Sequence, residues 1–223
     1  MTLQSVLFGS IGTLVETSEM QRRAFNAAFE EAGLDWRWDR STYQSMLSAT
    51  GGRDRIAAYA DDRNEDVDAA ALHMRKTVLY GEAMRRDGLS LRPGVRDVIV
   101  WARQKNVSLG FASTTSRDNI DAVFEALGGA ATRETFAFVG DASLVERQKP
   151  EPDIYTLALD RLGVEANRSV AIEDTGVNLD APIKAGIPAI AFPGANTMGH
   201  DFRAAKAVVD ELDPSTIEAA LDG

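Results

Sequence analysis

The chain has 223 residues, of which 44% are hydrophobic and 26% are charged, and it carries a net charge of −10 and no cysteine. This composition is typical of a folded protein and excludes disulfide bonds, cysteine metal sites and cysteine nucleophiles. The acidic balance argues against nucleic acid as the main partner, and no apolar run is long enough for a membrane helix. The N-terminal stretch MTLQSVLF has no basic start, so we expect a cytoplasmic protein without a signal peptide.

Short apolar runs bounded by glycine or polar residues predict buried strands. Six such runs occur in chain order: Ser5–Phe8, Val107–Ala112, Phe136–Val139, Ser169–Ile172, Ala189–Phe192 and Ala207–Val209. Helical patterns lie between most of them, including one over Ile154–Leu162 that ends before Gly163. Strands that alternate with helices indicate a parallel sheet covered on both faces, so we predict a Rossmann-like α/β core.

Residues 17–90 interrupt this alternation, because their apolar patterns are helical only. A capping-box pattern begins at Ser18, and apolar residues then recur at helical spacing from Ala24 to Ala32. Two further helical patterns cover Ile56–Tyr59 and Ala69–Met84. The sequence therefore predicts a helical insertion after the first strand.

These patterns divide the chain into an α/β core of residues 1–16 and 91–223 and a helical domain of residues 17–90. Basic and acidic side chains are equally frequent over residues 20–92, whereas the rest of the chain is acidic. A lid that meets an anionic ligand has this charge pattern, and so does ordinary surface variation.

Ligands of open parallel sheets bind beyond the carboxyl ends of the strands. The residues expected there are Gly9–Thr13, Ser113–Ser116, the region of Lys149, Glu173–Asp174 and the loop from Pro193 onward. Catalytic and ligand-binding side chains are therefore expected among these residues.

Four stretches at these strand ends share one resemblance: LFGSIGTLVETSE, FASTTSRDN, QKPEPDIY and AIEDTGVNLDAPIKAGIP. Together, and in this order, they resemble the four motifs of the haloacid dehalogenase superfamily of phosphotransferases. The stretches FNAAFEEAGLDW, TGGRDRI, LRPGV and NTMGHDFRAAKAVV resemble its sugar-phosphate phosphatase branch, which is associated with the Calvin cycle and related to β-phosphoglucomutase. The resemblance covers essentially the whole chain and implies that the helical insertion is the family's α-helical cap.

The first motif departs from the family pattern, Asp-x-Asp-Gly-Thr-Leu-Val. In the family the first Asp attacks phosphorus, and the second protonates the leaving oxygen and later activates water. Here Gly9 stands at the nucleophile position and Ile11 at the acid/base position, although Gly12–Val15 keep the rest of the motif. Neither replacement carries a reactive group, so we expect turnover to be lower on the order of a million-fold.

The other motifs keep their polar residues. By the resemblance, Ser113 hydrogen-bonds the phosphoryl group and Lys149 neutralises the phosphoryl oxygens. Thr114, beside Ser113, is implied to bind the phosphate or substrate. Gly52 and Arg53, in the cap, are implied to bind an anionic substrate, although an exposed arginine at a helix start is an equally simple interpretation.

The fourth motif implies a Mg²⁺ site at Glu173 and Asp174. Family members also use the first Asp and the main-chain carbonyl of the second, which is the Ile11 carbonyl in this chain. With one of those carboxylates missing we expect weak or absent Mg²⁺ binding. Because the site has lost two negative charges, we also predict that Lys149 pairs directly with Glu173 or Asp174.

Five further polar or aromatic positions have simpler interpretations. His200 is the only histidine near the site that could replace a lost base, but it is expected to be a loop residue. Ser10 is the only hydroxyl beside Gly9, and strand alternation predicts that it points away from that position. His73 and the pair Trp36 and Trp38 are expected to be structural.

We therefore hypothesise a catalytically impaired phosphatase homologue, a pseudoenzyme that binds phosphate or a small phosphorylated metabolite. One alternative is an active phosphoric-ester hydrolase in which water attacks with help from Lys149 and the remaining acids. Another is a non-catalytic protein that binds a protein partner.

Overall fold

A computed structural model describes residues 2–48 and 51–221. The chain divides into two compact units, one formed by Met1–Glu16 with Leu89–Gly223 and the other by Thr17–Gly88. Within the described residues, no helix combines the length and the apolar character that a membrane span needs.

The described helices are α1 Ile11–Leu14, α2 Ser18–Glu31, α3 Arg40–Ser45, α4 Gly52–Arg63, α5 Ala69–Asp87, α6 Val95–Lys105, α7 Arg117–Ala126, α8 Asp153–Leu162, α9 Gly176–Lys184 and α10 Pro214–Ala219. The described strands are β1 Ser5–Phe8, β2 Ser108–Ala112, β3 Phe138–Gly140, β4 Ser169–Glu173, β5 Ala189–Ala191 and β6 Ala207–Val208. Each of the six strands overlaps its predicted run, with ends that differ by two residues or fewer; β3 and β4 each extend one residue beyond the run, to Gly140 and Glu173.

The strands form one parallel sheet in the order β3-β2-β1-β4-β5-β6. The predicted α/β core with a parallel sheet is therefore confirmed. Phe8, the last residue of β1, lies opposite Phe111 of β2 and Ile172 of β4. Because the three strands run in the same direction and in register, the first, second and fourth stretches leave the sheet at one edge.

The core beneath this edge is apolar and fully enclosed. Leu7, Ala171 and Ala189 of three adjacent strands belong to one buried cluster with Ile154 and Tyr155 of α8. None of these five side chains is more than 1% exposed. This packing holds the ring of Tyr155 against the sheet, close to where the strands end.

The unit Thr17–Gly88 has its own aromatic core. The Trp38 ring centroid lies 4.8 Å from those of Phe25 and Phe29, and Trp36 lies 5.2 Å from Phe29. Trp36 and Trp38 are buried in this core, which confirms the expectation that they are structural.

The start of α2 differs from the prediction. The helix begins at Ser18, and Thr17 precedes it with a backbone that is already α-helical and a side chain that makes no capping hydrogen bond. The capping box predicted with Ser18 as the cap residue is therefore wrong, because the chain enters the helix one residue earlier.

Candidate functional site

Gly9 follows β1 and continues its pairing with β4, since its N–H donates to the Ile172 carbonyl at 2.9 Å. A Cβ atom at this position would meet Oε1 of Glu173 and the hydroxyl of Tyr155. The Glu173 carboxylate therefore occupies the space that a side chain at position 9 would enter.

A buried ion pair fills this space. The Lys149 ammonium lies 2.5 Å from Oε1 of Glu173, and the two side chains are 3% and 0% exposed. Lys149 also donates to the carbonyl oxygen of Gly9. The predicted pairing of Lys149 with an acid of the fourth stretch is thus confirmed, with Glu173 as the partner.

Tyr155 supplies the second hydrogen bond to the same carboxylate oxygen, at 2.8 Å. Burial raises the pKa of Tyr155 well above its ordinary value, so the phenol keeps its proton and acts as the donor. Burial also raises the pKa of Glu173, and the nearby Lys149 charge opposes that rise. Oε2 of Glu173 is buried without a hydrogen-bond partner among the described residues, so the carboxylate is only half satisfied.

Ser10 does not continue the strand, because β1 ends at Phe8 and Ser10 precedes α1. The alternation argument for its direction therefore fails, and its Oγ instead donates to Oδ1 of Asp174 at 2.8 Å. The other oxygen of Asp174 lies against Gly12, where a Cβ would collide with it. Loss of surrounding water raises the pKa of Asp174, while the Ser10 hydrogen bond lowers it.

The donor set around these acids does not fit Mg²⁺. No cluster of three or more metal-binding side chains exists in the described ranges. Lys149 already supplies a positive charge at Glu173, and Ser10 occupies one oxygen of Asp174. The Ile11 carbonyl accepts the N–H of Val15 within α1, at 3.0 Å. Two carboxylates, each already engaged by a side chain of the protein, are a poor match to the strict octahedral geometry that Mg²⁺ requires.

The second stretch places two hydroxyls at the same edge of the sheet. Ser113 directly follows β2, is 3% exposed, and accepts the N–H of Thr115 at 3.2 Å. A hydroxyl that accepts one hydrogen bond can still donate one, so Ser113 keeps the capacity to bind an anion. Thr114 is half-buried beside it.

His200 lies at the start of α9. Its Nδ1 accepts the N–H of Gly176 at 3.4 Å, and its ring stacks on Phe202 with centroids 6.2 Å apart. The His200 ring therefore links its own loop to the first residue of α9, which is a structural role.

Sequence reasoning missed Arg92, which belongs to the LRPGV stretch. It is 9% exposed and donates to the carbonyls of Gly12, Phe192 and Pro193 at distances of 2.6 to 2.8 Å. Its guanidinium carbon lies 3.4 Å from the centroid of the Phe192 ring. Arg92 therefore ties α1 to the loop after β5, and no local pattern in the sequence indicates these partners.

In the helical unit, the predicted binding residues lie at the start of α4. Arg53 is largely exposed and lies 3.4 Å from Asp54. A Cβ on Gly52 would meet the ring of His73, so glycine allows a close approach there. Thr50, the first residue of TGGRDRI, lies outside the described residues.

Sequence reasoning also missed Lys76, which is 6% exposed inside this unit. Its ammonium donates to Oε1 of Gln21 at 2.9 Å and lies 4.8 Å from the Phe25 ring centroid and 4.9 Å from that of Tyr80. Burial, with a further effect of Arg55, lowers the pKa of Lys76 to about 8. The signal was available, because Lys76 sits four residues from Leu72 and from Tyr80 on the buried stripe of α5.

The lowered pKa means that the folded protein disfavours the charged form of Lys76. The free energy of unfolding is therefore expected to increase as pH rises from about 8 to 10.5. We expect Lys76→Met to raise the free energy of unfolding by about 1–3 kcal/mol near pH 7 and to remove this rise. Urea denaturation near pH 7 and near pH 10 measures both effects. Lys105→Met, at an exposed position, is the matched control. A less stable Lys76→Met protein at neutral pH would contradict the argument.

Comparison with known proteins gives one family. Residues 4–186 match the family described as haloacid dehalogenase-like hydrolase. Protein CbbY of Cereibacter sphaeroides is 38% identical over 213 residues, which cover 94% of this chain and 93% of that protein.

Solved structures agree with the sequence comparison. The crystal structure of CbbY from Rhodobacter sphaeroides in complex with phosphate has a TM-score of 0.83 and 37% identity, with full coverage of both chains. A mutant of that CbbY in complex with xylulose-(1,5)bisphosphate has a TM-score of 0.81 and 38% identity, covering 94% of this chain and 95% of that one. β-Phosphoglucomutase from Clostridium difficile, at 16% identity and a TM-score of 0.75 over 99% of this chain and 98% of its own, shares the fold.

Proposed function

We propose, from the premise that this chain belongs to the haloacid dehalogenase-like hydrolase family, that it binds a phosphorylated sugar and is impaired in the family's phosphoryl transfer. The observation that carries the proposal is the pair Gly9 and Ile11 at the positions of the two catalytic aspartates. A covalent phosphoryl intermediate needs a side-chain nucleophile, and glycine has none.

The remaining groups support anion binding. Lys149 is a buried cation at the edge of the sheet, and Ser113 and Thr114 follow the neighbouring strand with their hydroxyls. Positive charge and hydroxyl donors in a site shielded from water are the usual means of holding a phosphate group. CbbY structures with phosphate and with xylulose-(1,5)bisphosphate favour a phosphorylated sugar as the ligand class.

We also propose that the helical unit acts as a cap that contributes positive charge. Lys76 is a buried cation of this unit, and its hydrogen-bond partner is the uncharged side chain of Gln21. Gly52 and Arg53 remain candidates for the same role. Because the acids do not fit Mg²⁺, the proposed binding is independent of that ion.

Thermal denaturation with inorganic phosphate, xylulose-(1,5)bisphosphate and other sugar phosphates, in the presence of EDTA, tests the proposal. A ligand that binds only the folded protein stabilises it by about 2.7 kcal/mol at a concentration 100 times Kd, so we expect a clear rise in Tm. Unphosphorylated xylulose is the control ligand, and Ser113→Ala is expected to reduce the rise. If no phosphorylated ligand raises Tm, the proposal is wrong and a protein-binding role is favoured.

A second candidate is an active hydrolase with a different nucleophile. The hydrogen bond from Ser10 to Asp174 supports it, because the carboxylate could accept the serine proton during attack on phosphorus. This candidate function predicts that the unaltered protein hydrolyses sugar phosphates and that Ser10→Ala abolishes the hydrolysis.

A further inference from the structure

The Lys149 ammonium, which the proposed function assigns to phosphate, is already neutralised by a carboxylate of the same chain. Glu173 contacts it at 2.5 Å and is fully buried. The second acceptor at the ammonium is the carbonyl oxygen of Gly9. An incoming anion therefore meets an ammonium group whose positive charge is already neutralised by Glu173.

The position of this carboxylate depends on Gly9. A Cβ at position 9 would lie within contact of both Oε1 and the carboxyl carbon of Glu173. Any residue other than glycine would thus force the carboxylate away from where it lies. Glu173 can occupy this space only because position 9 is glycine.

The carboxylate is held by few other contacts. Tyr155 donates to Oε1, while Oε2 is buried without a hydrogen-bond partner among the residues the structure describes. A half-satisfied buried carboxylate is a poor resting state, so the Lys149 charge is what keeps it there. A ligand anion with three or four oxygens can replace it by offering more acceptors to the same donors.

We propose that Glu173 is an internal competitor for the phosphate site: its carboxylate occupies Lys149 in the free protein and is displaced when an anion binds. This inference rests on the proposed function and adds the residue that sets the affinity. Removing the Glu173 charge should therefore strengthen anion binding, the opposite of what loss of a binding residue would do.

The test compares the affinity of inorganic phosphate for the unaltered protein and for Glu173→Gln by isothermal titration calorimetry in EDTA. Glutamine keeps the shape and an acceptor for Tyr155 but frees the ammonium, so we expect phosphate to bind about tenfold or more tightly. Glu125→Gln is the matched control, because Glu125 is exposed on α7 and belongs to none of the four stretches. Its affinity should equal that of the unaltered protein.

Gly9→Ala gives the second test, which also serves if Glu173→Gln does not fold. Its methyl group takes the space of the carboxylate, and phosphate affinity should rise again. If phosphate binds the unaltered protein and both variants equally, the inference is overturned while the proposed function stands. If neither the unaltered protein nor a variant binds phosphate, both fail. Binding by the variants alone supports the internal competitor and rejects phosphate binding by the unaltered protein.

Discussion

Gly9→Asp combined with Ile11→Asp is expected to produce Mg²⁺-dependent hydrolysis of p-nitrophenyl phosphate and sugar phosphates, an activity that we expect the unaltered chain to lack. The two substitutions return the nucleophile and the acid/base group, and they add carboxylates for the metal. Nucleophile loss costs on the order of a million-fold in turnover, and we expect at least about a thousand-fold recovery. Recovery is partial because Glu173 must first leave the space at position 9.

Gly9→Asn combined with Ile11→Asn is the matched control. Asparagine has nearly the same size as aspartate and makes the same demand on Glu173, but it is neither a nucleophile nor an acid. Turnover that appears in the aspartate variant and not in the asparagine variant is therefore chemical in origin. Metal-dependent turnover by the unaltered protein, above the asparagine variant, would contradict the impaired-enzyme proposal.

Arg92→Met is expected to lower the free energy of unfolding by about 3–5 kcal/mol, because it leaves three carbonyl oxygens of Gly12, Phe192 and Pro193 without their donor. The stabilisation comes from the three hydrogen bonds and not from the charge of Arg92. Arg92→Lys should therefore recover less than half of the loss, since an ammonium lacks the planar spread of donors. Urea denaturation measures both variants.

Arg86→Met provides the comparison for this measurement. Arg86 is 72% exposed and pairs with Asp87 on the surface, so its loss should change stability by less than about 0.5 kcal/mol. An Arg92→Met protein as stable as Arg86→Met would show that the buried carbonyls find other donors.

Much of the fold could be predicted because buried strands carry a local signal. Val6, Leu7 and Phe8 are all fully buried in β1, and such short apolar runs stand out between polar and glycine residues. The ends were less certain: Phe136 and Ala137 precede β3 rather than belong to it, because apolar residues continue beyond the hydrogen-bonded ladder.

The candidate site was harder to predict from the sequence, because its contacts join residues that are distant along the chain. The pairing of Lys149 with one of two acids followed from counting charges, but the choice of Glu173 depends on the empty space at Gly9. The Ser10 contact could not be predicted, since it requires β1 to end at Phe8 and the chain to turn toward Asp174.

The place of Glu173 also bears on how this site can evolve. Gly9→Asp alone requires Glu173 to give up its position and still lacks the acid that would release a leaving group. Ile11→Asp alone adds an acid but leaves glycine at the position of the family's nucleophile. A return to the family's chemistry therefore requires both substitutions, together with a new position for Glu173. The carboxylate in this space thus couples positions 9, 11 and 173, and a change at one of them alters what the other two can do.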